Sequence, residues 1–264
     1  MSSTYDRTRK RNRFDNFDKD NRRYMDNSRD SRSSRSSRHY SNHNEMEKRE
    51  FTPTSLKLPK GWATYKKPIG NVIEGTQFLP FKTPLHHTYF TLHVNRVPLK
   101  EAFRPEDLIE HCRRKNIKLG LIIDLTSTNR YYDKYEFIKK KISYFKLPCA
   151  GHEIHEDEPK TEKFIEVVNN FLNDQRNVGK IIGVHCTHGL NRTGYMICRY
   201  MTDILGFSAK NATDAFEKAR GYEMVRIHYK EHLQMLENQR NDKHEYYKKR
   251  DTDDSDIIEC RDDL

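Results

Sequence analysis

Two residues whose types and spacing suit phosphoryl chemistry, Cys186 and Arg192, bracket five residues, and Thr193 follows the arginine. A thiolate is a strong nucleophile, and a guanidinium presents a planar fork of N–H groups that fits two oxygens of one phosphoryl group. The Thr193 hydroxyl can donate a hydrogen bond to sulfur and help it leave. Together they indicate attack of Cys186 on phosphorus, a phosphocysteine intermediate and its hydrolysis by water. A lone cysteine is more often a small buried apolar residue, but His185 and Arg192 at this spacing favour the nucleophile.

Two elements must position this pair. Residues 180–184 are a short apolar, β-branched run, which predicts a buried strand. Residues 193–205 carry apolar side chains at helical spacing, which predicts a helix. Cys186 then lies where a strand ends, and Arg192 where a helix begins. The unpaired N–H groups and positive dipole of a helix start bind anions and favour a thiolate over a thiol.

The residues from Cys186 to Arg192 form a loop, which we call the phosphate loop (residues 186–192). Gly189 lets the loop turn back with its amides pointing inward, and Asn191 tolerates unusual backbone angles. The His188 ring can reach only phosphate or the loop backbone, and we expect the backbone contact. The residues expected to bind the phosphoryl group are Thr187, His188, Gly189, Leu190, Asn191 and Arg192.

The pattern His185-Cys186-x5-Arg192-Thr193 resembles the signature of the cysteine-dependent phosphatases. The full string at 185–194, HCTHGLNRTG, resembles their RNA 5′-triphosphatase branch. That branch holds the triphosphatase domain of metazoan mRNA capping enzymes and the RNA/RNP-complex-interacting dual-specificity phosphatases. Further stretches similar to the latter are LPKGW at 58–62, GLIIDLT at 120–126, RYY at 130–132 and ICRY at 197–200. The likeness runs from about residue 58 to about residue 236.

This resemblance implies a cysteine-phosphatase fold and 5′-triphosphorylated RNA as substrate. It places Arg130 and Arg226 at basic positions suited to the second and third phosphates. It also makes Asp124 a candidate carboxylate, because the capping-enzyme family has a functional aspartate at a matching strand end. On the residues alone, a strand-end aspartate is more often a turn or cap residue. No cofactor or metal is expected, since thiolate catalysis needs none.

The order of elements predicts an α/β fold. Helices are predicted at residues 105–115, 161–174, 208–219 and 228–239, and further strands at 119–125 and 142–147. The segment before residue 105 is aromatic with Gly and Pro turns, so we expect it to be irregular with some strand. Alternating strands and helices indicate a central, mainly parallel, twisted sheet flanked by helices. Cys186 would lie at the carboxyl end of a central strand, where open α/β sheets bind ligands.

The sequence is weaker on the general acid. Many cysteine phosphatases have an aspartate on a loop ahead of the nucleophile, and Asp157 is the candidate here, with Glu156 and Glu158 beside it. A solvated acidic loop before a helix is the alternative. If a phosphoanhydride is broken, the leaving phosphate is far less basic than an alkoxide and needs less protonation. The unclear acid therefore counts against phosphoserine or phosphotyrosine substrates.

Both ends of the chain differ in composition from the middle. Residues 1–50 hold eight apolar residues against fourteen Lys/Arg and nine Asp/Glu, which predicts a disordered Arg/Ser-rich basic tail. Such a tail either binds RNA phosphates or is merely solvated. Residues 251–264 hold seven acids and one arginine, which also predicts disorder. We therefore divide the chain into a basic tail (1–50), a catalytic domain (51–240) and an acidic tail (241–264).

Charge and cysteine usage bound the remaining possibilities. The formal net charge is +10, and a basic surface including Arg220, Arg226 and residues 139–141 would attract a polyanion. Five scattered cysteines without a Cys-x2-Cys pair suggest neither disulfides nor a zinc site. No apolar run is long enough for a membrane span. Because a reactive thiolate needs a reducing compartment, we expect a soluble monomer in the nucleus, the cytoplasm or both.

The leading hypothesis is an RNA 5′-polyphosphatase that removes the γ and then the β phosphate from 5′-triphosphorylated RNA, leaving di- or monophosphate ends. RNA-processing or small-RNA proteins are the expected partners. Two alternatives stay open: a dual-specificity protein phosphatase acting on phosphotyrosine and phosphoserine, and an RNA-binding adaptor with little turnover. A lipid phosphatase is disfavoured because Thr187, Leu190 and Asn191 put no lysine in the loop.

Overall fold

A four-stranded sheet in the order β1-β4-β2-β3, with every neighbouring pair parallel, forms the centre of the computed structural model. The structure describes residues 51–93, 97–150 and 153–256, with the side chains of the last helix described as far as residue 243. The strands are β1 Phe78–Lys82, β2 Leu119–Asp124, β3 Ser143–Lys146 and β4 Ile181–Cys186. The expected mainly parallel sheet is confirmed. The predicted tail at residues 1–50 lies outside the described residues.

Helices cover the sheet. The described ones are α1 Thr88–Leu92, α2 Pro105–Arg114, α3 Tyr135–Ile138, α4 Glu158–Leu172, α5 Asn191–Asp203, α6 Ala209–Arg220 and α7 Ile227–Asp256. Short 3-10 turns lie at Trp62–Thr64, Leu99–Glu101, Ile154–Glu156 and Gln175–Asn177. The start of α6 shows how local chemistry sets a boundary: the Ser208 hydroxyl accepts from the Asn211 amide at 3.1 Å. Gly221 ends the helix in the left-handed region at φ 77°.

Alternate side chains of the strands enter two apolar layers on opposite faces of the sheet. On one face, Phe78, Ile123 and Val184 pack against α4, α5, α6 and α7. On the other face, Leu79 and Ile122 pack against the residues that precede β2 and against α3. This alternation follows from the two-residue period of a strand. Because both faces are covered, the strands read as continuous apolar runs, which is typical of parallel sheets.

The last helix is longer than the sequence suggested. We expected a helix over residues 228–239 followed by a disordered acidic tail from 241, but α7 continues to Asp256. Residues 257–264 lie outside the described residues. The part of the tail that the structure describes is therefore helical. None of the helices described is long and apolar enough to cross a membrane.

Candidate active site

The phosphate loop connects the end of β4 to the start of α5, as the sequence predicted. Cys186 is the last residue of β4 and is 3% exposed, and Asn191 is the first residue of α5. Parallel pairing places Cys186 opposite Lys82 of β1 and places Asp124 of β2 opposite His185. The nucleophile candidate thus lies at the carboxyl edge of the sheet on an inner strand, with a helix N-terminus ahead of it.

The loop turns at Gly189 because no other residue fits there. Its φ is +66°, a left-handed angle that side chains disfavour, and an added Cβ would lie 2.1 Å from the Phe81 carbonyl oxygen. Asn191 does not have the unusual backbone that we expected, because it begins α5. Its side-chain oxygen instead accepts from the Arg226 amide at 3.0 Å. The loop is thereby packed against β1 on one side and joined to the start of α7 on the other.

The surroundings of Cys186 favour its thiolate. Burial by itself raises the pKa of the thiol, but the Arg192 charge, the Thr193 hydroxyl and amide, and the His188 amide outweigh it and bring the pKa below its usual value. Thr193 Oγ1 is buried, and no hydrogen-bond partner of standard geometry is found for it among the described residues, although its hydroxyl lowers the pKa of Cys186. Its role in helping the sulfur leave stays a prediction. By contrast, burial raises the pKa of the Cys112 thiol to about 12.

Arg192 is held from behind in the orientation that a phosphate clamp needs. Its Nη1 donates to the Cys149 carbonyl at 2.6 Å and to the Leu125 carbonyl at 3.3 Å, and its Nη2 donates to Thr187 Oγ1 at 3.1 Å. A guanidinium has five N–H donors in one plane, so donors remain for an anion in the loop. These contacts with the segments that follow β2 and β3 therefore orient Arg192 before substrate binds.

A second arginine, Arg220, contacts the phosphate loop from the protein interior. We had expected this residue to be a surface cation. Arg220, the last residue of α6, is 0% exposed. Its guanidinium donates to the carbonyls of Gly189 at 3.0 Å, His188 at 3.0 Å and Lys67 at 2.9 Å. Because two loop carbonyls point down to Arg220, the amides of the same peptides are free to point toward an anion. The helical periodicity of α6, with Phe216 four residues earlier on the buried face, could have indicated this position.

The His188 ring contacts neighbouring backbone, although not the loop's own. Its Nε2 lies 2.8 Å from the Lys60 carbonyl, and its ring lies 5.2 Å from that of Tyr65. Residues 57–65 form one side of the site, and we call them the pocket wall. Gly61 has a left-handed φ of +73°, which favours glycine at this turn of the wall. The sequence predicted only an irregular segment here, and the structure identifies these contacts.

Asp124 lies in a buried network below the loop. Its carboxylate accepts from Lys146 Nζ at 2.8 Å, Tyr144 at 2.8 Å and Thr126 Oγ1 at 2.7 Å, and from the Thr126 amide at 2.8 Å. Burial alone would raise the pKa of Asp124, but the charges of His185 and Lys146 lower it to about 2. It does not line the pocket. The contacts support the turn role that the sequence left open, rather than a catalytic role.

Asp157 precedes α4 and forms an ion pair with Lys160, one turn into the same helix. It does not line the pocket either, and neither do Glu156 and Glu158. Glu158 pairs instead with Arg199 at 2.6 Å. The role of Asp157 as general acid stays a prediction.

The pocket above Cys186 is a cavity of about 700 Å³ with basic walls. It is lined by Lys57, Leu58, Pro59, Lys60, Gly61, Thr64, Tyr65, Arg130, Tyr131, Cys186, Thr187, His188, Asn191, Arg192 and Arg226. Five of these are lysine or arginine, and none is a carboxylate. Gly189 and Leu190 are absent from this lining, and Leu190 is 1% exposed, so their predicted contacts to the phosphoryl group stay predictions. The described residues contain no cluster of His, Cys, Asp or Glu that could hold a metal.

Arg130 and Arg226 both line this pocket, and their predicted contacts to the second and third phosphates stay predictions. Arg130 Nη1 donates to the carbonyls of Ser55 at 2.9 Å and Lys57 at 2.7 Å, which ties it to the pocket wall. Arg226 Nη1 donates to the Tyr229 hydroxyl at 2.8 Å. The structure therefore brings together cations from four separate parts of the sequence around one thiol.

The family described as "Dual specificity phosphatase, catalytic domain" matches residues 104–239. A Caenorhabditis elegans protein named "RNA/RNP complex-1-interacting phosphatase homolog" is 46% identical over 184 residues, which are 70% of this chain and 78% of that protein. The human "RNA/RNP complex-1-interacting phosphatase" is 42% identical over 67% of this chain, which spans only 52% of the human protein. The Danio rerio "mRNA-capping enzyme" is 39% identical over 54% of this chain and 23% of its own length.

These matches include the strand, loop and helix that carry Cys186 and Arg192. A thiol with a lowered pKa, an anchored arginine and a helix N-terminus are the parts that a phosphocysteine mechanism needs. The chain therefore belongs to the dual-specificity phosphatase family of cysteine phosphatases, on the branch of the RNA/RNP complex-1-interacting phosphatases.

Proposed function

We propose that this cysteine phosphatase is an RNA 5′-polyphosphatase, which removes the γ and then the β phosphate from 5′-triphosphorylated RNA. The observation that carries the proposal is the composition of the pocket. Every charged side chain that lines it is basic, namely Lys57, Lys60, Arg130, Arg192 and Arg226. A single phosphoryl group needs only the loop and Arg192, whereas a triphosphate carries further charges that require cations outside the loop.

The proposed order of events begins in the phosphate loop. The γ phosphate would enter the phosphate loop, where Arg192 and the loop amides hold its oxygens and the Cys186 thiolate attacks phosphorus. The P–O bond to the β phosphate breaks, and the RNA diphosphate leaves. Water then attacks the phosphocysteine, inorganic phosphate is released, and Thr193 donates to the departing sulfur. A second round with the diphosphate end would remove the β phosphate and leave a monophosphate.

Arg130 and Arg226 are assigned to the phosphates that lie outside the loop. Both line the cavity, and both are already fixed by contacts to backbone or to a hydroxyl. Fixed cations lose little side-chain entropy on binding and select a ligand whose charges match their spacing. A phosphotyrosine side chain has one phosphate, so it offers no second phosphate to either cation.

The relatives also support RNA as the substrate, since the names of two of them refer to RNA/RNP complexes and a third is named as an mRNA-capping enzyme. We propose RNA-processing or small-RNA proteins as partners, and the nucleus or cytoplasm as the compartment because the thiolate must stay reduced. The competing function is a protein phosphatase, which is favoured by the dual-specificity family itself.

Release of phosphate from γ- and β-labelled triphosphate RNA, measured beside a phosphotyrosine peptide, tests the proposal. The enzyme should release both labels without added metal and turn over the peptide poorly. Cys186→Ser should be inactive on both, while Cys112→Ser, which removes a buried thiol of the other core layer, should match wild type. Peptide turnover far above RNA turnover would refute the proposal and favour the protein phosphatase. Release of γ alone would restrict the activity to triphosphate ends.

A further inference from the structure

Lys82 is a buried cation beside the active site that the phosphocysteine mechanism does not use. It is the last residue of β1, is 2% exposed and lies opposite Cys186 in the strand register. Among the described residues it forms no ion pair with a carboxylate. Burying a charge without a counter-ion is costly. A position that keeps such a charge next to an anion site therefore calls for a functional explanation.

The contacts of Lys82 all lead to the pocket wall. Its Nζ donates to the Tyr65 carbonyl at 2.9 Å and to the Trp62 carbonyl at 3.4 Å, and it lies 3.5 Å from the centre of the Trp62 ring. Trp62 is 1% exposed and donates through Nε1 to the Thr83 carbonyl at 2.8 Å. The end of β1 and the pocket wall are thus joined by a charged group with two carbonyls and an aromatic face around it.

The same wall reaches the phosphate loop through His188, whose ring contacts Lys60 and Tyr65. Lys82 therefore contacts the pocket wall close to the point where the wall meets the phosphate loop. The other charged groups that influence it are Arg220 from α6, Glu101 from the turn before α2 and Lys66 from the chain after the wall. Its own positive charge acts in turn on His188.

We propose that Lys82 is a positioning residue: in its charged form it fastens the pocket wall against the phosphate loop, and its charge favours an anion in the pocket. The proposal rests on the proposed function only in requiring a phosphate-like anion, and not in requiring RNA. Wall geometry and anion affinity should then depend on whether the amine carries its proton.

The protonation state of Lys82 changes near neutral pH. Burial, with a smaller contribution from Arg220, lowers the pKa of this amine to about 7. The positive charge is present below that pH and is lost as the pH rises through it. Anion affinity should therefore decrease as the pH rises, and a bound anion should raise the pKa of the amine and cause proton uptake.

Sulfate is the probe, because it remains a dianion throughout the useful pH range and requires no catalytic acid. Its inhibition constant against p-nitrophenyl phosphate is measured between about pH 6 and about pH 8.5 for wild type, Lys82→Met and Lys66→Met, together with thermal unfolding. Lys66 is exposed and pairs with Glu101, so its variant removes one charge from the same region without touching the wall. Methionine keeps the reach of Lys82 and removes its charge.

Wild type and Lys66→Met should bind sulfate about tenfold more weakly at the upper pH than at the lower, and Lys82→Met should lack that difference. The proposal would be overturned if Lys82→Met kept the wild-type pH dependence of sulfate binding. A variant that binds sulfate more weakly than wild type by the same factor at every pH is such a result. If Lys82→Met does not fold, Lys82→Arg is measured in its place. An arginine stays charged over the whole pH range, so this variant should bind sulfate equally well at both ends of it. None of these readouts depends on RNA, so failure here is separate from failure of the RNA activity.

Discussion

The phosphate loop and the carboxylate loop, residues 153–158, are held in opposite ways. The phosphate loop is packed on β1 at Gly189, and buried Arg220 binds two of its carbonyls. In the carboxylate loop, Asp157 pairs with Lys160 of α4, and Glu158 pairs with Arg199 of α5. Neither acid lines the pocket. The nucleophile and the anion site are therefore ordered before substrate binds, while neither Asp157 nor Glu158 of the carboxylate loop lies where the leaving group would be.

This difference bears on the kind of bond that the site can break. A thiolate in a ready anion site accelerates attack on any phosphoryl group. Protonation of the leaving group matters most for a basic alkoxide or phenolate and least for a phosphate. The fixed contacts of the phosphate loop, with no acid of the carboxylate loop lining the pocket, agree with the proposed cleavage of a phosphoanhydride.

The largest expected effect concerns the inner cation of the phosphate loop. Arg192→Lys removes the planar fork that holds both the Cys149 carbonyl and the phosphoryl oxygens, so kcat/KM on triphosphate RNA should fall on the order of a thousandfold. Arg226→Lys, at the outer edge of the pocket, should lose only about tenfold. Steady-state kinetics on one RNA oligonucleotide measure both. Equal losses would show that the loop has no special place in binding the phosphates.

The second prediction tests the support beneath the loop. Arg220→Met keeps the packing of α6 and removes the donors to His188 and Gly189, so the loop amides should lose their alignment and the pKa of Cys186 should rise. We expect kcat/KM to fall on the order of thirtyfold. The pH profile of iodoacetamide alkylation should shift upward, which a loss of packing alone would not produce. Lys218→Met, exposed on the same helix, should leave alkylation unchanged.

The sequence predicted the parts of this site that are encoded locally. A strand, the phosphate loop and a helix fix where Cys186 and Arg192 lie, and the apolar periodicity of neighbouring segments predicts the parallel sheet. Arg130 and Arg226 entered through the resemblance alone, and both reach the pocket. The predicted roles of Asp157 and of the loop residues in substrate binding stay predictions.

The parts that escaped prediction depend on contacts between distant segments. Arg220 binds Gly189 across 31 positions of sequence, and Lys82 binds Tyr65 across 17. An arginine or lysine is normally read as a surface residue, since burial of a charge is costly. Only the fold shows that carbonyl oxygens surround each of these cations. The network around Asp124 escaped for the same reason, because its partners come from β3 and β4.

The third prediction concerns the stability that the protein loses at acid pH because of His185, the residue before the phosphate loop. Burial lowers the pKa of His185 from 6.5 to about 4, so the unfolded chain binds more protons than the folded protein between these values. Stability should therefore be lost as the pH falls from 6.5 to about 4, by about 3 kcal/mol in the free energy of unfolding. Below that range, Asp124, with its pKa lowered to about 2, adds a further loss.

Urea unfolding of wild type and His185→Gln at a series of pH values measures this effect. Glutamine fills the site beside Tyr132 without titrating, so the free energy of unfolding of the variant should fall less steeply across the same range, from whatever starting value. The remaining slope comes from other histidines whose pKa is also lowered, such as His188 and His232. His87→Gln removes an exposed histidine and should retain the wild-type slope. A His185→Gln protein that loses stability with the wild-type slope would assign the acid sensitivity to other groups.

The smallest expected effect lies in the carboxylate loop, and it depends on the substrate. On triphosphate RNA, Asp157→Asn should reduce kcat by no more than about threefold, because the departing β phosphate is weakly basic. On a phosphotyrosine peptide, any residual turnover should fall about a hundredfold, since a phenolate needs a proton. Glu156→Gln, the exposed neighbour, controls for the loss of loop charge and should have little effect on either. A hundredfold loss on RNA would mean that the loop closes over the bound substrate and places Asp157 at the leaving oxygen, and the contrast between the two loops would then hold only for the free enzyme.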